Sequence, residues 1–262
     1  GFQGVNAKGD VTTLGRGGSD ATAVALAQAL AADECQIFTD VDGVFDADPR
    51  IVNSASQLNE VSYDEMLQMS SLGAKVLQNY AVEIACQNQV PLRVSATFND
   101  KPGTILCDHL SRLRDHPVTG IVSKRDVVMI HIAGGGMMFG ALLSAFAKKR
   151  IGVDMLTQQV DCTFTIDLDD IALSSGLLKQ FCLSHGLTPA VINRDVAKLS
   201  IVGRGLNSHP EIIAHACETL ASQGVNILLT STSEIKISFI IPLKKLEIGV
   251  QTLHNSVDLS SC

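Results

Sequence analysis

Apolar and polar positions along the chain fall into three textures. From Gly1 to about Asp108 short apolar runs alternate with glycine-rich and acidic loops, the mark of an α/β stretch. Within it an alanine-rich run predicts a helix over residues 20–32, and Cys35 to Phe38 a short strand. Tyr63 to Gln89 carries helical spacing with a break near Gly73. Residues 91–96 read as a buried strand, a turn follows at Lys101-Pro102-Gly103, and Thr104 to Cys107 closes the stretch. Residues 109–125 hold four basic side chains and one proline and read as a connector.

The remaining two stretches repeat one order of elements. Val127 to Ile132 reads as a strand, Gly140 to Lys149 as a helix and Ile151 to Gln159 as a strand. Leu199 to Val202, Pro210 to Gln223 and Val225 to Ser233 repeat them, with Ile151 matching Val225. Each copy continues through a strand (Cys162 to Asp167; Glu234 to Pro242) and a helix (Ile171 to Leu187; Leu243 to Asn255). Both copies are therefore β-α-β-β-α units of ferredoxin-like type.

Composition narrows the function. In 262 residues, 46% are apolar and 18% charged, enough for one large core or two to three smaller ones. A net charge of -7 is unsuited to a general nucleic-acid binder, which needs a concentrated basic surface. No apolar run approaches the roughly 20 residues of a membrane span. Seven scattered cysteines without C-x-x-C spacing support neither a disulfide framework nor a zinc site, and suit reduced thiols in the cytoplasm. The chain opens at Gly1-Phe2-Gln3-Gly4 without a methionine and reads as continuing something upstream.

Three motifs carry chemistry. Thr12-Thr13-Leu14-Gly15-Arg16-Gly17-Gly18-Ser19-Asp20 is a glycine-rich loop running into a helix. Its backbone amides and the helix N-terminus suit a phosphate or carboxylate, Arg16 adds a planar fork, and Asp20 suits an ammonium group. The plainer alternative is a turn with Ser19 or Asp20 as N-cap. Thr39-Asp40-Val41-Asp42-Gly43-Val44-Phe45-Asp46-Ala47-Asp48-Pro49-Arg50 follows a strand, where α/β sheets bind ligands. Its aspartates do not form a calcium loop, because Phe45 and Ile51 stand where glycine and glutamate are needed. The alternative is a solvated, aspartate-stabilised turn. Gly73-Ala74-Lys75-Val76-Leu77 puts a lysine at a helix break, and spacing alone favours a surface side chain over a phosphate contact. Histidine spacing supports no metal site, and no nucleophile elbow is present.

Together G-F-x-G at Gly1, the TTLGRGGSD string to Ala23, TDVDGV-x-x-ADPR at Thr39 to Arg50, GAKVL at Gly73 and VPLRV at Val90 to Val94 resemble the aspartate kinase family. The repeat resembles two ACT domains, with Gly203 to Pro210 and Ser231 to Ile235 matching best. The implied architecture is an amino-acid-kinase-type α/β lobe lacking its N-terminal part (1–110), a linker (111–126) and two ferredoxin-like ACT α+β domains (127–192 and 193–262).

The resemblance implies phosphoryl transfer from ATP, with Mg2+, to the side-chain carboxylate of L-aspartate, giving 4-phospho-L-aspartate for lysine, threonine and methionine synthesis. It implies Arg16, Gly17, Gly18, Ser19 and Asp20 at the amino acid, Arg16 on its α-carboxylate and Asp20 on its ammonium. Thr39, Asp40, Phe45, Arg50 and Lys75 fall at the nucleotide, Phe45 replacing a frequent tyrosine. Asp154, Gln158, Thr163, Asn226, Ile227, Ser231, Thr232 and Ser233 fall at a lysine or threonine effector. A homodimer or higher homo-oligomer through the ACT domains, in the cytoplasm, is implied as well.

Two departures shape the expectations. The family's opening K-F-G-G-T-S motif and a catalytic glutamate are absent, so the chain alone is expected to be inactive. The P-D-x-P-G turn of the first ACT unit is replaced by Ala133-Gly134-Gly135-Gly136-Met137, with Gly134 at the effector-contacting aspartate, and only Val160 and Asp161 follow Gln159 before the next strand. Weakened effector sensitivity is expected there. The competing reading is a non-catalytic amino-acid-sensing regulatory subunit, against which Arg16, Asp20, Asp40 and Lys75 stand together. A kinase of acetylglutamate or a nucleoside monophosphate is disfavoured by the repeat.

Overall fold

The computed structural model describes residues 1–15, 17–74, 76–108 and 116–257. The first lobe opens with a hairpin the periodicity did not predict, β1 (Gln3–Val5) against β2 (Val11–Thr13), antiparallel. Its turn is closed by the Asn6 side chain, which accepts the N–H groups of Lys8 and Asp10. Helix α1 (Gly18–Ala29), strand β3 (Cys35–Thr39), strand β4 (Glu60–Ser62), helix α2 (Tyr63–Ser71), helix α3 (Asn79–Asn88), strand β5 (Leu92–Ala96) and strand β6 (Thr104–Cys107) complete it.

The sheet order is β3-β5-β6-β4, with β3 parallel to β5, β5 antiparallel to β6 and β4 parallel to β6. Val24, Met66, Met69, Val82, Leu92, Val94 and Leu106 fill the core between sheet and helices. Ser62 starts α2 with a complete capping box: its hydroxyl accepts the Glu65 N–H while the Glu65 carboxylate takes the Ser62 N–H. The predicted break falls at Gly73, at φ +123, where a Cβ would lie 2.4 Å from the Ser123 carbonyl oxygen. Only glycine satisfies both demands.

Strand β7 (Val118–Lys124) comes next, inside the stretch expected to be a linker. Val118 to Val122 are all buried, so the strand lacks the alternation that would have revealed it. Val118 and Ile121 enter the core of the second repeat, and Val122 faces the first lobe.

The first repeat is β8 (Val127–Ile132), α4 (Phe139–Lys148), β9 (Leu156–Gln158), β10 (Cys162–Asp167), α5 (Ile171–Ser184) and β11 (Val191–Asn193). Its sheet runs β11-β8-β10-β9, all antiparallel. Phe139, Phe146 and Phe164 meet beneath it, with ring centroids 5.0 and 6.0 Å apart. The second repeat is β12 (Val196–Gly203), α6 (Pro210–Ser222), β13 (Leu229–Thr232), β14 (Lys236–Pro242) and α7 (Leu246–Ser256), and its sheet runs β13-β14-β12-β7.

The two sheets match place for place, but the strand beside the first strand of each unit differs in origin. In the first repeat it is β11, which follows α5; in the second it is β7, which precedes the whole first repeat. The first repeat is thus inserted into the second. The predicted strands 151–159 and 225–233 shorten to β9 and β13, both at sheet edges, where fewer ladder bonds extend them.

Two seams bind these parts. Val127, Met155, Val196 and Ile240 form a small core between the repeats. Ala47 and Val52, from the aspartate-rich loop of the first lobe, are buried in the core of the second repeat, with Ile51 and Ala55 against it.

Candidate functional site

The glycine-rich loop turns into α1 through Gly15 at φ +82 and Gly17 at φ +79. Gly17 is the N-cap, without a side-chain cap bond, and Gly18 starts the helix. Ser19 and Asp20 lie in its first turn, so the N-cap alternative does not hold for either. A Cβ on Gly17 would lie 2.1 Å from Gln78 Cγ, so this loop presses against the residue that follows Gly73 to Leu77 and caps α3. The first motif therefore packs against the residue that adjoins the third. Arg16 and Lys75, expected at the amino acid and the phosphates, lie outside the described residues.

Asp20 is half-buried, and burial pushes its carboxyl above the ordinary aspartate range. Cys35, under α1 on β3, is raised by its own burial and then by the charge of Asp20. A half-buried carboxylate at this point is suited to an ammonium partner, which offsets the cost of ionising it.

The second motif leaves the end of β3. Thr39 donates to the Asp40 carboxylate at 3.0 Å, and its carbonyl accepts both the N–H and the hydroxyl of Thr97. Asp40 is exposed. The remaining aspartates have separate partners. Asp42 accepts Asn99 and Lys101, which hold it below the usual carboxylate range, Lys101 most strongly. Asp46 is buried and accepts the Ser56 N–H and the His254 ring. Asp48 accepts the Arg50 backbone, Nε and Nη2, and the Arg50 fork holds its carboxyl low.

Arg50 is thus folded onto its own loop with its guanidinium in solvent. Phe45 bridges Gln57 and is partly buried. Among the described residues no three His, Cys, Asp or Glu side chains group closely enough to hold a metal ion.

The expected effector residues divide between the two sheets. Asp154 pairs with Lys198 across the seam between repeats, Gln158 donates to the Gly136 carbonyl at 2.7 Å, and Thr163 bonds His131 at 2.9 Å. The replaced turn is closed from inside, the Gly134 N–H donating to the Asp161 carboxylate at 2.8 Å. Asn226 and Ile227 precede β13, Ser231 and Thr232 lie on it, and Ser233 closes the turn to β14, its N–H donating to the Lys236 carbonyl and its hydroxyl accepting the Lys236 N–H. No hydrogen bond or ion pair among the described residues joins the two sets. Spacing gave no sign of Gln78, Lys198 or His254, which take their meaning only from tertiary contact.

Comparison with known proteins now decides the family. Residues 1–95 match the amino acid kinase family and residues 199–257 an ACT domain. The chain is 43% identical over 273 aligned positions to an aspartokinase of Pseudomonas aeruginosa, with 100% of this chain covered. It is 32% identical to the regulatory subunit of aspartate kinase from Thermus thermophilus, covering 54% of this chain and 99% of that one, with a TM-score of 0.51. This chain belongs to the aspartate kinase family.

Its fold agrees with that of E. coli aspartokinase III in complex with aspartate and ADP, at a TM-score of 0.83 and 27% identity, over 98% of this chain and 59% of that one. The chain spans 66% of the length of the Pseudomonas relative. Family membership confirms the α/β lobe with ferredoxin-like ACT units expected from the motifs. No helix among the described residues is long and apolar enough to cross a membrane.

Proposed function

We propose that this chain forms the nucleotide-facing and regulatory part of an aspartate kinase, which transfers the γ-phosphoryl group of MgATP to the side-chain carboxylate of L-aspartate. The observation that carries the reading is the left-handed turn at Gly15 and Gly17, packed on Gln78 and opening α1 with Asp20 in its first turn. Such a turn offers oriented amides to an anion, and Asp20 offers a carboxylate to a cation one helical turn away. An α-amino acid carries both charges. Arg16 holds its α-carboxylate, with Gly17, Gly18 and Ser19 beside it, and Asp20 holds its ammonium.

A substrate carboxylate oxygen attacks the γ-phosphorus, the bond to the β–γ bridging oxygen breaks, and ADP leaves with that oxygen's electrons. Such a reaction needs alignment and charge neutralisation, and no covalent protein intermediate. Thr39, Asp40, Phe45 and Arg50 line the nucleotide, and Lys75 approaches its phosphates as a point charge. Mg2+ enters with ATP as part of the substrate.

The ACT units bind lysine or threonine through the segments holding Asp154, Gln158 and Thr163 and those from Asn226 to Ser233, and pair copies of the chain into a homodimer. The self-closed turn at Gly134 supports a weaker first-unit site. A purely regulatory role is the second reading, favoured by the match to the Thermus regulatory subunit over 54% of the chain. Thermal shift separates the two. A non-hydrolysable ATP analogue with Mg2+ raises Tm under the kinase reading; if lysine or threonine raises it and the analogue does not, the kinase reading is wrong.

A further inference from the structure

Two residues far apart in sequence share one buried hydrogen bond. His254 Nε2 on α7 lies 3.2 Å from Asp46 Oδ1, and both side chains are almost wholly buried. The same Oδ1 accepts the Ser56 N–H at 2.9 Å, so a carboxylate with only lone pairs faces the ring and Nε2 carries the proton. Among the described residues His254 Nδ1 has no hydrogen-bond partner, so this single bond orients the imidazole.

Asp46 is fixed from its other atoms as well. Its N–H donates to the Ser56 carbonyl, and its own carbonyl accepts the Ile121 N–H of β7 at 2.6 Å. Gly120 runs so close that a Cβ would sit 2.6 Å from that carbonyl oxygen. Five residues on, Gln251 of α7 donates to the Ile51 carbonyl at 2.9 Å. Phe45 stands between Val44 and Asp46, both bonded to the 56–58 segment, so the backbone that presents Phe45 takes its shape from this anchorage.

We propose that His254 is a positioning residue for nucleotide binding: through Asp46 it holds residues 44–52 against the second repeat and so keeps Thr39 to Arg50 in the conformation that receives ATP. The inference rests on reading Thr39 to Arg50 as the nucleotide segment. It assigns the regulatory unit a direct hand in the shape of that segment, through a residue with no contact to the nucleotide. Removing the bond leaves a buried carboxylate short of a donor, which favours movement of the loop toward water.

The test uses the full chain and three proteins, wild type, His254→Leu and His254→Gln; the glutamine amide nitrogen reaches the place of Nε2 and keeps a donor. Calorimetric titration with a non-hydrolysable ATP analogue and Mg2+ is expected to show about tenfold weaker binding for the leucine variant. The glutamine variant should stay within about threefold of wild type. Hydrogen exchange should speed up over residues 44–58 in the leucine variant and return in the glutamine variant, a local pattern that general destabilisation does not produce.

Should the leucine variant not fold, Asp46→Asn replaces it, with about a threefold loss expected from the weaker neutral acceptor. Equal affinity of wild type and the substituted protein overturns the proposal, as does unchanged exchange over 44–58, or a loss that glutamine does not repair. If wild type itself binds no analogue, the nucleotide reading fails first and takes this one with it, an outcome distinct from binding that ignores His254.

Discussion

Lys198, on an interior strand of the second sheet, makes its ion pair with Asp154 of the first repeat. The lysine side chain is 3% exposed and the aspartate 47%, so one charge is buried and its partner reaches it from the rim. Burial holds the ammonium below the ordinary lysine range, and Asp154 opposes that shift. Removing Asp154 leaves a buried charge alone, whereas removing the lysine removes the cost as well. Asp154→Ala should destabilise the chain by about 1–2 kcal/mol, and Lys198→Met should be close to neutral, both read from urea midpoints.

The same pair sets a pH dependence. A lysine with a lowered folded value gives up its proton before the unfolded chain does, so in that window the unfolded state binds more protons and stability rises with pH. Any stability advantage of Lys198→Met over wild type should therefore narrow as pH climbs toward the ordinary lysine value of 10.5. A gap that widens over that range would count against burial as the cause.

Gly73 is bound to its place twice, by a φ of +123 and by the approach of the Ser123 carbonyl. Gly73→Ala adds backbone strain and a collision at the junction of α2 with β7, and should cost about 2–4 kcal/mol. Thermal or urea unfolding of the variant measures it; a loss below about 1 kcal/mol would mean that the strand gives way easily.

How legible this was from sequence depended on the range of the interactions. Helical spacing from Tyr63 announces α2, and the periodic apolar runs announce both repeats, because those signals lie within a few residues of each other. The strand β7 escaped because it is buried on both faces and its partner β12 lies beyond an entire inserted unit. The motif residues gave the family and placed the glycine turn at a helix start. They gave no hint that Arg50 would fold back onto Asp48 two residues away, a choice among several nearby carboxylates, or that Asp46 would be taken by His254, which reaches it from the far end of the chain.

The capping box offers a local control. Ser62→Ala removes the hydroxyl that accepts the Glu65 N–H and should cost about 1 kcal/mol. The Glu65 carboxylate also accepts the Thr119 hydroxyl of β7, so the box ties α2 to the second repeat's sheet. Ser62→Thr should recover most of the loss in the same urea experiment, and failure to do so would assign the effect to packing instead of capping.

Asp20 is where stability and proposed function pull apart. Its carboxyl is raised by burial, so the folded chain binds the proton more readily than the unfolded one, and ionisation at neutral pH works against folding. Asp20→Asn removes that charge and should leave Tm unchanged or higher in the absence of amino acids. The same substitution takes away the partner of the substrate ammonium, and L-aspartate affinity should fall at least about tenfold while the ATP analogue binds as before. Calorimetry with each ligand separates the two effects. A variant that melts higher and still binds L-aspartate like wild type would show that the carboxylate at the start of α1 faces no ammonium, and the amino-acid pocket would have to be sought elsewhere.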